Sequence, residues 1–207
     1  MIRTMTFVSA LAIALLGAVT GTVAQEASPA ASPLAGAIDV PLVDVDGQEV
    51  GQATLTEAAD ESVAVEVSAE GLAPGEHGLH VHEVGICDPA GDEPFSSAGD
   101  HYNPTGATHG GSPMMEMTDA ATPGAANGHA GDLGNIVVDN AGSAQMEITT
   151  DRFGLAELSD ADGSALVIHA DPDDLLTDPS GNSGGRIVCG VIAPSLDGGT
   201  PMATPAP

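Results

Sequence analysis

Residues 75–87 read GEHGLHVHEVGIC, which places His80 and His82 two positions apart in a run that otherwise has strand character. Successive strand side chains point to opposite faces, so these two imidazoles share one. Side by side on a rigid strand they make half of a metal site. Downstream the chain supplies His101, His109, His129, Asp132 and His169, and the whole set reads as a binuclear metal site. One His-x-His pair alone is weak evidence, because hydrogen-bonded or solvent-facing histidines are commoner than ligands. Here six of the seven histidines fall between positions 77 and 129, in loops crowded with glycine, and that clustering favours ligands.

The donors are of mixed type. Three imidazoles with one carboxylate make a closed tetrahedral zinc site, whereas all-imidazole sets suit copper or zinc. His101, His109, His129 and Asp132 match the first description. His80, His82 and His169 remain to hold a more open metal, one that can meet a substrate.

Alternating apolar and polar residues recur at 38–45, 50–56 and 62–68, closed by turns such as Asp46-Gly47. The pattern resumes at 77–84, 135–139, 144–150, 165–169 and 186–192, with long Gly/Pro/Asp-rich loops between the later segments. These eight short segments predict an all-β protein, an antiparallel sandwich or barrel with long metal-binding loops. The run Asp171-Pro172-Asp173-Asp174-Leu175 carries the one helical cue, an Asp N-cap followed by Pro, and predicts a single turn.

Of 207 residues, 42% are hydrophobic, which suits one domain plus tails. Beyond the extreme N-terminus the only rings are Phe95, Tyr102 and Phe153, so the core must be aliphatic and staples such as metals or a disulfide are expected. The formal charge is −27, with thirty acids against Arg3, Arg152 and Arg186. Nucleic acid and anionic membrane surfaces demand basic patches and are excluded as partners.

Residues 1–24 read as a secretory signal peptide: Arg3 precedes a thirteen-residue apolar run, 7–19, and small residues follow at Thr22-Val23-Ala24. An apolar run of that length is short for a bilayer span, so no membrane span is expected once the signal is removed, an uncleaved N-terminal anchor being the alternative reading. Export to the periplasm, cell envelope or medium implies an oxidising compartment. Residues 25–35 (rich in Ala, Ser and Pro) and 195–207 have compositions that bury little apolar surface, and they read as a linker and a tail around a domain at 36–194.

Five blocks, HGLHVHEVG (77–85), SAGDHYNPTGATHGG (97–111), GHAGDLGN (128–135), LVIHADPDDL (166–175) and GNSGGRIVCGVI (181–192), resemble the copper/zinc superoxide dismutases, in the family's order. The resemblance implies an eight-stranded antiparallel Greek-key barrel. It also implies that copper is bound by His80, His82, His101 and His169, zinc by His101, His109, His129 and Asp132, and that His101 bridges the two. Asp173 falls where the family has a carboxylate joining a copper ligand to a zinc ligand, here His80 and His109. Arg186 falls where the family keeps an arginine beside copper to receive the anion. Cys87 and Cys189 match the family's intrasubunit disulfide, and His77 matches a structural histidine.

The implied activity is dismutation of superoxide to oxygen and hydrogen peroxide, with Arg186 and His101 in catalytic roles. A non-catalytic copper store or delivery protein on the same fold is the competing reading; it explains the histidines but not Arg186. Met114, Met115 and Met117 lie in a long segment between zinc ligands, and thioethers can hold copper(I), although methionine more often fills irregular gaps. The chain departs from the family in the loop 171–185, where lysines usually guide the anion. This loop has Asp171, Asp173, Asp174 and Asp178 and no lysine.

Overall fold

The computed structural model describes residues 36–90, 93–110 and 128–192. The expected signal peptide (1–24), linker (25–35) and tail (195–207), and Met114, Met115 and Met117, lie outside these residues. All the described residues fall in the unit Pro33–Pro207.

Alternation builds the sheet. In β3 (Val63–Ala69) positions 63, 65, 67 and 69 are buried and the residues between them are partly or fully exposed. The same period of two runs through β1 (Ala37–Asp44), β2 (Glu49–Glu57) and β6 (Ala144–Thr150). Two strands break it most fully. β4 (Gly75–His82) is buried from His77 to His82, and β7 (Ser164–His169) is buried throughout, so both of their faces are covered. One face packs Leu79, Val81, Leu166 and Ile168 into the barrel. The other lies beneath loops, and it carries His80, His82 and His169.

With β5 (Asp132–Val138) and β8 (Arg186–Ile192) the strands close into an antiparallel barrel in the order β1-β2-β3-β6-β5-β4-β7-β8. Its core is aliphatic, with Val40, Leu42, Leu55, Val65, Leu79, Ile136, Ile168 and Val188 among its buried members. Fully burying each such side chain contributes about 1.5–3 kcal/mol relative to leaving it in water. A smaller cluster, Phe95, Ala98, Ala165, Val167 and Cys189, packs outside the barrel under the β4–β5 connection. The Cys87–Cys189 disulfide, with Cα atoms 5.7 Å apart, fastens that connection to β8.

The helical turn expected at 171–175 is absent. Asp173 turns its carboxylate to two histidine rings and to the Leu175 N–H, and Leu175 adopts a left-handed backbone at φ 61°, which no helix continues. The short α1 (Leu155–Leu158), which the periodicity did not reveal, forms elsewhere. Glu157 accepts the Gly154 N–H at 2.9 Å, while Leu155 and Leu158 are buried.

Candidate metal centre

Register sets the first three imidazoles. β4 pairs with β7 so that His80 faces Val167 and His82 faces Ala165, and His169 continues the same outer face two residues on. Irregularities in the ladders fall beside the histidines: one between Leu79 and His80 against β5, the other between Ile168 and His169 against β8. Bulges re-aim side chains next to functional sites. The first sets His80 opposite Asp132, and the second sets His169 opposite Arg186. The β4–β5 connection brings in His101, which bridges back to His82 through the backbone, followed by His109 and His129.

Two groups of donors that share His101 result, beside a third made by His80, His109 and Asp173. One ligand atom each from His80, His82, His101 and His169 lie within 4.8 Å of one another, and so do atoms of His101, His109, His129 and Asp132. All seven residues are buried, and His101 belongs to both groups. Its Nδ1 lies 2.8 Å from Asp132 Oδ1, on the side of the second group.

The ring nitrogens divide into outer and inner sets. On the outer side His80 Nε2 lies 2.8 Å from Asp173 Oδ2, and His109 Nε2 lies 2.9 Å from Asp173 Oδ1. His82 Nδ1 donates to the Gly99 carbonyl at 3.0 Å, and His169 Nδ1 donates to that of Gly184 at 3.2 Å. On the inner side His80 Nδ1, His101 Nε2 and His109 Nδ1 are buried without a hydrogen-bond partner among the described residues. His109 Nδ1 lies 3.1 Å from Asp132 Oδ2, close but misaligned for a hydrogen bond. Buried polar atoms rarely go unpaired, so three orphans converging with a carboxylate fit metal ions. The donor types fit copper at the four-imidazole group and zinc at the group with the carboxylate.

Burial keeps three rings of the four-imidazole group in the neutral form that binds a metal. Burial lowers His80 to about 4, overcoming the hydrogen bond to Asp173, and lowers His169 to about 3, helped by the neighbouring His80. Burial, then His101 and Arg186, also push His82 well below its ordinary value. His109 goes the other way: burial would lower it, but Asp132 and Asp173 outweigh that and raise it to about 9. Burial opposes the charge on Asp132, yet bonds from His101 and His109 hold it well below the usual carboxylate range.

The four-imidazole group borders a cleft of about 770 Å³ whose lining includes His82, His101 and His169 beside Arg186. Arg186 donates from Nη1 to the Phe95 carbonyl and from Nη2 to the Gly99 carbonyl, both at 2.6 Å. Gly99 thus binds a ring of the copper-type group and the guanidinium through one oxygen. Its backbone, at φ 76° and ψ −156°, is a conformation essentially restricted to glycine. Phe95 is fully buried in the outer cluster, with its backbone left-handed at φ 59°. Carboxylates of Glu83, Glu93, Asp100 and Asp178 line the same cleft.

Asp173 spans the two groups from behind. It approaches so closely that a Cβ at Gly181, where φ is 62°, would overlap its carboxylate. His77 joins neither group: Nδ1 lies 2.7 Å from the His169 carbonyl and Nε2 2.8 Å from that of Ala73. Nothing in the sequence marked the Phe95, Gly99 and Gly184 carbonyls, and Asp178 was legible only as one acid of a lysine-free loop. Gly99 lies in the block 97–111, two residues before His101.

A model of the family described as copper/zinc superoxide dismutase (SODC) matches residues 49–192. The superoxide dismutase [Cu-Zn] of Deinococcus radiodurans is 36% identical over 93% of this chain and 98% of its own length. Among solved structures, an SOD-like protein from Bacillus subtilis is 38% identical with a TM-score of 0.62, over 74% of this chain and 97% of that one. The Cu/Zn superoxide dismutase from Brucella abortus is 28% identical with a TM-score of 0.61, over 76% of this chain and 99% of that one. With the barrel, the paired donor groups and these likenesses in agreement, the chain belongs to the copper/zinc superoxide dismutase family.

Proposed function

We propose that this protein dismutates superoxide at a copper site held by His80, His82, His101 and His169, beside a zinc site held by His101, His109, His129 and Asp132. The observation that carries the reading is the pair of donor groups sharing His101, with Arg186 at the open side of the first. Copper, when bound, supplies one-electron exchange: two superoxide anions and two protons give one oxygen and one hydrogen peroxide. The protein's residues do the rest. Arg186, fixed by two carbonyls, presents its guanidinium to the arriving anion. His101, with Nδ1 toward Asp132 and Nε2 buried without a hydrogen-bond partner among the described residues, can take up and return a proton at Nε2. Asp173 orients His80 and His109 together, and the Gly99 and Gly184 carbonyls orient His82 and His169. Zinc, when bound, is structural and electrostatic.

The Cys87–Cys189 disulfide agrees with an oxidising compartment, and we infer that the chain is exported behind a signal at 1–24. Among the described residues no helix is long and apolar enough to cross a membrane. A store for copper would have no use for an arginine clamped at the mouth of the site. The test is superoxide consumption by the copper- and zinc-loaded protein, followed by pulse radiolysis or stopped flow. Activity no greater than that of the metal-free protein overturns the assignment.

A further inference from the structure

Of the histidines in the two groups, four have their outer nitrogen engaged, His80 and His109 by Asp173, His82 by Gly99 and His169 by Gly184. His101 has no outer nitrogen, since both of its nitrogens face donor groups. His129 remains. Its Nδ1 points inward, 3.3 Å from Asp132 Oδ1 and 3.4 Å from His101 Nδ1, while its Nε2 faces Asp178 Oδ1 at 3.9 Å. The same Asp178 oxygen accepts the backbone N–H of His109 at 2.7 Å, so it is already fixed against a second member of the zinc group.

We propose that Asp178 is a positioning residue dedicated to the zinc site, the counterpart of Asp173, which serves both sites. The proposal rests on the zinc assignment above. A carboxylate facing Nε2 selects the tautomer that carries its proton there, and so leaves Nδ1 free as the ligand atom. Ligation at Nδ1 makes the Nε2–H a stronger donor toward the half-exposed Asp178 carboxylate 3.9 Å away. Its bond to the His109 N–H ties the loop before β8 to the segment that carries two of the zinc donors. Asp178 therefore acts on zinc through two histidines, whereas the copper group, oriented by Asp173, Gly99 and Gly184, owes it nothing.

Asp178→Asn separates this role from a purely structural one. The amide oxygen still accepts the His109 N–H, but the charge facing His129 is gone. In the full-length protein, zinc affinity measured by chelator competition should fall about 10- to 100-fold, the usual effect of losing such a partner. Cobalt(II) placed in the zinc site should show a shifted visible spectrum. Copper affinity and the unfolding midpoint of the metal-free protein should stay at wild-type values. Zinc affinity within twofold of wild type overturns the proposal, and so does a parallel loss of copper, which would mark general loosening of the loop. Asp132→Asn run alongside must lose zinc. If it does while Asp178→Asn does not, the positioning role alone fails; if Asp132→Asn keeps its zinc, the ligand assignment fails with it.

Discussion

Gly99 offers one carbonyl to both His82 and Arg186, so the proposed copper site and the proposed anion site share a single backbone atom. Among the described residues the guanidinium has no directly paired carboxylate; two carbonyls engage two of its N–H donors and leave its charge available. Arg186→Glu should therefore keep its copper, since all four imidazoles and their outer partners remain, while kcat/KM falls about 10- to 10³-fold, the range over which focused charge alters encounter rates. An unchanged kcat/KM removes Arg186 from the mechanism. The buried rings also make stability of the metal-free protein depend on pH. The ordinary histidine value is 6.5, and burial holds His80 near 4 and His169 near 3. As the pH falls below 6.5 the unfolded chain takes up protons that these folded rings refuse, so stability declines. Asp132 and Asp173, both lowered against the pull of burial by their histidine bonds, add stability that is present above the ordinary carboxylate value and is lost on further acidification. His109, which Asp132 and Asp173 raise to about 9 against burial, contributes stability present below 6.5 and lost as the pH rises through 9. Urea unfolding in the presence of chelator should accordingly give a maximum near pH 6.5, lower at 4.5 and at 9.5. A profile flat across that span contradicts these shifts.

Among the elements, β6 and β8 have the bounds that alternation alone predicts, and the other strands differ by a few residues at their ends. Strands are legible here because a period of two in a ring-poor chain admits few other readings. His80, His82 and His169 were legible for the same reason, since the strand face is set by counting. The carbonyl partners were not, because a backbone oxygen has no letter in the sequence and its direction depends on a loop's dihedrals. The turn expected at 171–175 failed on the same ground: Asp173 has two histidines to bind, and that outweighs a local capping preference. The disulfide belongs to this scale, as it fastens the long β4–β5 connection to β8 over a separation of 102 residues. Phe95 and Ala98 pack beside it, and Arg186 binds the Phe95 carbonyl. Replacing both Cys87 and Cys189 with serine should lower stability by up to about 4–5 kcal/mol, the chain-entropy figure for a loop of that length. Copper affinity should change far less than stability, because His80, His82 and His169 stand on β4 and β7. Denaturant unfolding and copper competition would check the two halves of this expectation, and a loss of less than about 1 kcal/mol would mean that packing of the outer cluster already holds the connection.

At the scale of the whole molecule the charge is −27, and two divalent ions leave it strongly negative. Superoxide is an anion, so at long range the protein repels its own substrate. The lining of the cleft continues that trend, with Glu83, Glu93, Asp100 and Asp178 around a single guanidinium. Only beside Arg186 and the metals does the field reverse. The two contributions differ in range, and salt separates them. The screening length is about 30 Å at 0.01 M and about 8 Å at 0.15 M, so added salt removes the distant repulsion before it weakens contact within the cleft. An enzyme steered by attraction slows as salt is added, because attraction is what it loses. Here the term lost first has the opposite sign, and kcat/KM should stay flat or rise between about 10 and 200 mM salt, the window in which the screening length falls from about 30 Å to below about 8 Å. Neutralising acids at the mouth should flatten the response: Glu93→Gln with Asp100→Asn should raise kcat/KM at low salt and bring it toward the wild-type value at high salt. Both carboxylates favour the charge on Arg186 from close by, so they act on the last step of approach as well as on the distant field. Stopped-flow rates across the salt series would decide it. A steep, monotonic fall in the wild-type protein would mean that the field of Arg186 and the metals dominates the encounter from the outset, and that the acidic surface has no part in setting the rate.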